Sequence, residues 1–460
     1  MSVSGSEGVP AAAPPGRLAG LRRRALAAGR NNVGALIVSQ GATQALRFGS
    51  NLILTRLLAP EAFGVMLMIT SVSYILTMLT ETGISPFIVR SKSGVARSHL
   101  DTLWTVAVIR ACLIGVVVVL GAPLIAQATG KPEVAAPLQV AAIGFVLQGC
   151  GSLGPYIALR RHQAAKNVWV TLGAYVASLP IMIGLVVWTG SYWGLVFGTV
   201  IGSALTCAAS YLFYADSVRR FAFDSAVVRE LWAFSKFILA SSLTTVVVVQ
   251  FDKMFVLTSF SLGAAGLYAI ASNLAAVPTQ FGDAYYTKVY MPLASARLRE
   301  GALTPETFYR PMRVIRPLLI FGCAAGITFG ERFVTLIFPE AYAQAGAFLA
   351  VLVVKPLIGS ICKPTSMILV SNHMARTRFV GDCLRMAWIV SAALVGWRYF
   401  GVWGLLWAVA LTDLLPTAYQ YAVLARLGVV RLADEAVLLA AGAAGLAFGW
   451  ALTWGADAVF

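Results

Sequence analysis

Apolar stretches of about 20 residues recur along the chain from residue 36 to residue 456, parted by short polar connections. A helix rising 1.5 Å per residue needs about that length to cross the roughly 30 Å hydrocarbon core of a bilayer. By this measure spans fall near 36–58, 62–85, 103–126, 135–157, 167–189, 192–214, 237–259, 264–288, 317–338, 344–370, 381–400, 402–424 and 436–456. The pattern predicts an all-α polytopic membrane protein with no sizeable domain outside the bilayer. Composition agrees: 59% of the 460 residues are apolar and only 12% are charged, where soluble domains carry about 25%.

The net charge of +16 could suggest a nucleic-acid partner, but its distribution excludes one. The basic residues sit in short loops between apolar runs rather than along one face of a soluble domain. The N-terminal tail and the even-numbered connections hold most of the 35 Lys and Arg, and the opposite connections hold only Arg56, Lys131, Arg332 and Arg398. Positive loops stay on the cytoplasmic side, so the N-terminus is expected there. Residues 1–30, rich in Ala, Gly, Pro and Ser and ending in a basic stretch, read as a disordered cytoplasmic tail. The chain then divides into a first bundle at 31–215, a cytoplasmic linker at 216–236, a second bundle at 237–425, and an additional C-terminal membrane helix within 426–460.

Six scattered cysteines and the loop histidines His99, His162 and His373 form no metal-ligand spacing. No GxSxG, HExxH or P-loop occurs, which argues against an enzyme. An internal repeat is visible instead. Ile53-Leu54-Thr55 followed by Gly64 matches Val256-Leu257-Thr258 followed by Gly266, and an acid lies 17 positions after each glycine, Glu81 and Asp283. Both hairpins run in the same sense, so the halves are expected to be parallel repeats about an axis along the membrane normal.

Six basic residues lie within spans: Arg47, Arg110, Lys253, Lys288, Lys355 and Lys363. Each Lys or Arg at a helix centre costs roughly 2.5–3.5 kcal/mol on insertion scales. Snorkelling accounts for Lys288 and suits Arg110 and Lys363. It suits Arg47 and Lys355 poorly, since each lies about eleven residues, or roughly 16 Å, from its interface. Buried acids are Glu81, Asp252, Asp283 and Asp413, the last shortly before Pro416; cross-helix neutralisation of acids by bases is the plain structural alternative. Gln40, Gln44 and Arg47 share one helix face by their i, i+4, i+7 spacing. Cations deep in both halves predict a wet, electropositive central cavity suited to an anionic head, phosphate in particular. Candidate substrate contacts are therefore Arg47, Lys355, Lys253, Arg110, Lys363, Gln40 and Gln44; Glu81, Asp283, Asp413 and Asp252 are candidates for coupling or gating.

The hairpin Asn51-Leu-Ile-Leu-Thr-Arg-Leu-Leu-Ala-Pro60-Glu-Ala-Phe-Gly64, with Thr82-Gly83-Ile84, Phe87-Ile88-Val89-Arg90, Asp252 through Tyr268, and Val289-Tyr-Met-Pro292-Leu-Ala-Ser295, resembles the polysaccharide flippases (Wzx-type) of the MOP exporter superfamily, relatives of the MATE drug exporters. The likeness extends over about residues 30–425. It implies two six-helix bundles around a central cavity, with one or two extra C-terminal helices. It also implies movement of an undecaprenyl-pyrophosphate-linked oligosaccharide across the bacterial inner membrane, driven by a proton or sodium gradient and without other cofactors. A polysaccharide polymerase and a chain-length regulator would be its partners beside membrane lipids. Competing readings are a MATE-like multidrug exporter, a lipid II flippase and, from another class, a membrane glycan ligase or polymerase.

Overall fold

The computed structural model describes residues 41–90, 96–161, 163–214, 219–301 and 303–459; the N-terminal tail and Gln40 lie outside them. Among the described residues the chain is helical, with no strands. In chain order the helices are α1 (41–57), α2 (Pro60–Leu79), α3 (Ile84–Arg90), α4 (Arg97–Thr129), α5 (Ala135–Gly149), α6 (Gly154–Arg160), α7 (Ala164–Thr189), α8 (Trp193–Leu212), α9 (Ser225–Ser259), α10 (Leu262–Tyr285), α11 (Met291–Glu300), α12 (Pro305–Tyr309), α13 (Ile315–Ile337), α14 (Ala343–Leu352), α15 (Val354–Ser371), α16 (Ala375–Ala410), α17 (Leu414–Arg426) and α18 (Leu432–Val459).

Helices therefore lie at each expected span. Nine stretches among the described residues are long and apolar enough to cross a membrane, ten when the bent pair α5–α6 counts as one. One of the nine, Ala375–Arg426, covers two expected spans, which part at Gly401 with φ 57°. The expected linker is not an open loop throughout: α9 begins at Ser225, capped by Asp224, whose side chain accepts from the Ala226 N–H. The apolar surface of these helices is left uncovered on many faces; Trp188, Leu120 and Phe400 are 82%, 70% and 74% exposed. Lipid is the solvent such a surface requires.

Packing joins α4 with α5, α7 with α8, and α5 with α8 in the first half, and α13 with α14, α15 and α18 in the second. The halves meet along α2 and α10. At the end bearing the shortest loops the seam is closed by side chains of each half that reach across it. Tyr342 Oη donates to Leu58 O at 2.6 Å, the Lys131 ammonium donates to Leu257 O, and the Phe63 and Tyr342 rings meet edge to face at 5.9 Å. Lys131 lies outside the helices and is 7% exposed; burial pulls its ammonium below the ordinary lysine range.

The opposite end is held by two separate clusters. Ile84, Phe87, Leu103, Val227 and Leu231 pack the start of α9 onto α3 and α4. In the second, Arg316 is 1% exposed and lies over the rings of Phe308, Tyr309 and Tyr421 at 5.7, 5.9 and 5.7 Å. Its carboxylate partner is Glu435 on α18, 3.6 Å away, which also accepts from Tyr309 Oη at 2.6 Å and Tyr421 Oη at 3.0 Å. This knot ties α18 to α13, α12 and α17.

Candidate functional site

The larger cavity, about 620 Å³, lies wholly within the second half. α9 supplies Asp252 and Lys253, α10 supplies Tyr268, Gln280 and Asp283, α15 supplies Lys355 and Lys363, and α16 supplies Arg378, Asp382 and Arg385, with Asp413 at the head of α17. The expected span at 344–370 is two helices that part at Val353, with Pro356 in the first turn of the second. Proline lacks the N–H that would continue the ladder, and this interruption sets Leu352, Lys355 and Pro356 on the cavity wall.

The charges in this cavity are largely spoken for. Lys363 donates to Asp283. Arg385 Nε reaches Asp413 at 2.7 Å and its NH1 reaches Asp382 at 2.9 Å, while Arg378 Nε lies 3.7 Å from Asp382. Asp252 is 4% exposed and accepts from Tyr268 Oη at 2.6 Å. Five cations thus face four carboxylates. Among the described residues, Lys253 and Lys355 are the two of these cations for which no ion pair forms. Lys253 feels the Asp252 carboxylate first and the Lys355 ammonium second, so the one surplus positive charge lies in the region these three residues share.

A smaller cavity of about 270 Å³ occupies the first half, lined by Thr77, Glu81, Arg110, Gln148, Ser152 and Tyr156 among others. It forms where α5 and α6 bend by 47°. Arg110 donates from Nε to Thr80 Oγ1 at 3.1 Å and from NH2 to Thr77 O at 3.0 Å, so it caps one of the carbonyls in the last turn of α2. The repeat acids Glu81 and Asp283 thus line one cavity each, and each has a base near it, Arg110 and Lys363 respectively.

Lys355, Lys253, Lys363, Asp283, Asp413 and Asp252 are brought together by the fold, and Arg110 with Glu81 in the other half. Arg47 is not with them: it is exposed and lines neither cavity. Gln44 is 8% exposed and also lines neither; Gln40 falls outside the described residues. Sequence reasoning did not single out Arg378, Asp382 and Arg385, which straddle the start of the expected span at 381–400. Their i, i+4 and i+3 spacing was the available signal, since such residues share one helix face. No group of His, Cys, Asp and Glu among the described residues could hold a metal.

The described residues form a helical fold with a cavity in each half, and solved structures show the same fold. The chain superposes on the lipid II flippase MurJ in an inward closed conformation with a TM-score of 0.72, covering 91% of this chain and 92% of that one at 12% identity. An inward-facing MATE family multidrug resistance transporter of the MOP superfamily gives 0.62, with 86% and 95% covered at 14% identity. Residues 53–347 match the profile of the polysaccharide biosynthesis protein family, and the chain belongs to that family. Among curated relatives, the succinoglycan biosynthesis transport protein ExoT of Rhizobium meliloti is 26% identical over 54% of this chain and 50% of its own length. The lipopolysaccharide biosynthesis protein WzxC of Escherichia coli is 20% identical over 81% of this chain and 76% of its own. The alignment with ExoT thus spans half of that protein.

Proposed function

We propose that this protein is a flippase for a lipid-linked oligosaccharide, working by alternating access in a bacterial inner membrane with the basic loops and N-terminus in the cytoplasm. The carrying observation is the pair Lys253 and Lys355, two cations without ion pairs in a 620 Å³ cavity of five cations and four carboxylates, which leaves a net surplus of one positive charge. An unpaired ammonium away from bulk water is costly until an anion joins it. A pyrophosphate linkage supplies that anion, and membership of the polysaccharide biosynthesis family favours a glycan as its cargo. Contacts that close the short-loop end fit a state open toward the basic loops, where such a substrate is made. Asp283, Asp413, Asp252 and Glu81 remain candidates for coupling to a proton or sodium gradient, and a polymerase and chain-length regulator for partners. An exporter of organic cations would want surplus negative charge here, which is the reverse of what the cavity holds.

The test is reconstitution in liposomes with a fluorescent undecaprenyl-pyrophosphate oligosaccharide, scored by its accessibility to quencher. Wild-type protein should move it. Lys355→Ala should cut the rate at least tenfold, and Arg47→Ala should leave it within twofold. Equal rates with and without protein would defeat the proposal.

A further inference from the structure

The first-half cavity lies beside the break between α5 and α6. Its wall includes Gly149 at the end of α5, and Gly151 and Ser152 between α5 and α6. Broken helices survive at membrane depth only where their free backbone is satisfied or lines a cavity. Here the break is buttressed by α8: Ser152 N–H donates to Ser210 Oγ at 2.8 Å, and Tyr211 Oη donates to Cys150 O at 2.6 Å. Gly154 N–H donates to Ser152 Oγ at 3.0 Å. The corresponding fourth span of the second half is the one interrupted at Val353, whose flanks line the larger cavity. Interruptions at matching positions of two repeats are a recurring mark of solute sites.

The chemistry of the two cavities differs. Glu81 and Arg110 are the charged groups lining the smaller one, so its net charge is zero. Both are also tethered: Arg110 to the end of α2, and Glu81 Oε1 to the Gly83 N–H at 2.9 Å. The rest of the wall mixes hydroxyl and amide groups, Thr82, Ser85, Gln148 and Ser152 among them, with the rings of Tyr156 and Phe145 and aliphatic side chains such as Ile84 and Ile114. Thr82 Oγ1 is buried with no hydrogen-bond partner among the described residues. Sugars match this set, because every hydroxyl both donates and accepts and the ring's C–H face packs on an aromatic ring. At about 270 Å³ the space suits a single sugar residue, lying just under the ~300–1,000 Å³ of sites for drug-sized ligands.

We propose that this cavity is a subsite for one uncharged sugar residue of the transported glycan, while the larger cavity holds the anionic linkage. The proposal rests on the flippase reading. α9 walls the larger cavity and packs on α2 and α4, which wall the smaller.

Two soluble probes separate the two claims: inorganic pyrophosphate, and the repeat-unit oligosaccharide released by mild acid from the host's own lipid-linked pool. Binding of each to the full-length protein in nanodiscs is measured by titration calorimetry and saturation-transfer NMR. Wild type should bind both. Gln148→Leu and Thr82→Val should each weaken the oligosaccharide at least tenfold while pyrophosphate affinity stays within twofold, which also reports that each variant is folded. Pyrophosphate binding with no oligosaccharide binding, or oligosaccharide binding equal in wild type and both variants, overturns the sugar subsite and leaves the flippase reading standing. Failure of wild type to bind either probe defeats both.

Discussion

Gly64 and Gly266, the paired glycines of the internal repeat, pack reciprocally: each lies against the carbonyl group four residues before the other. A Cβ on Gly64 would sit 2.9 Å from the Leu262 carbonyl carbon, and one on Gly266 would sit 2.7 Å from the Pro60 carbonyl carbon. The contact is what a local two-fold between parallel repeats produces, and it brings α2 and α10 to backbone distance at the closed end. Backbone cannot yield as a side chain can, so a methyl group here must push the helices apart. Gly266→Ala should therefore open this seam. With the six native cysteines replaced and a reporter at Leu58→Cys, which is buried in the seam, an impermeant maleimide should label several-fold faster in the alanine variant. Unchanged labelling would mean the seam does not depend on this contact.

Arg385 and Asp413 form an ion pair in the larger cavity, 2.7 Å apart on α16 and at the head of α17. Removing one partner of such a pair strands the other, at a cost of about 3–5 kcal/mol when it is well buried. The Arg385 side chain is 20% exposed and that of Asp413 13%, so a value nearer 2–3 kcal/mol is expected after partial hydration. Arg385→Ala should lower the unfolding midpoint of the purified protein, and adding Asp413→Asn should recover part of the loss. A double variant no better than the single one would assign Asp413 a role beyond charge balance.

How much of this could be read from the chain follows the range of the interactions. Helix positions depend on runs of apolar residues, and every expected span meets a helix. The glycine repeat was legible because both members carry the same local motif. The clustering of Lys355, Lys253, Lys363 and Asp283 followed from the cost of isolated charge in a bilayer. Arg47 is governed by the same cost yet does not join them, because depth along a helix does not specify the direction a side chain faces. Arg378, Asp382 and Arg385 were lost at a boundary: α16 begins at Ala375, several residues before the expected span at 381–400, so the helix face that Arg378 shares with the other two was cut by the expected boundary. Arg316 and Glu435 belong to distant helices, and no local pattern announces that they meet.

Glu435 holds that buried Arg316, whose side chain is 2% exposed. Three aromatic faces and the Tyr421 hydroxyl surround the guanidinium, but Glu435 is the carboxylate that neutralises it. Glu435→Ala should destabilise the protein by about 3–5 kcal/mol and loosen α18 from α13, visible as faster proteolysis after residue 426 and a lower unfolding midpoint. Glu435→Gln, which can still accept from Tyr309 and Tyr421, should cost less. If both variants melt with wild type, the knot is not what anchors α18.

The pair Lys363 and Asp283 carries a prediction of opposite sign from the usual loss-of-contact variant. Lys363 donates to Asp283 in the same cavity that holds Lys355, so the carboxylate cancels a cation that an incoming anion could otherwise use. Asp283→Asn adds one unit of net positive charge there. At a separation of ~7 Å and an effective dielectric of ~40, a unit charge attracts an anionic group by roughly 1.2 kcal/mol. Inorganic pyrophosphate should therefore bind about five- to tenfold more tightly to the asparagine variant. Transport should nevertheless slow, because tighter holding of the substrate without matching stabilisation of the barrier delays its release. Weaker pyrophosphate binding to Asp283→Asn would show that the carboxylate positions Lys363 for the anion instead of competing with it.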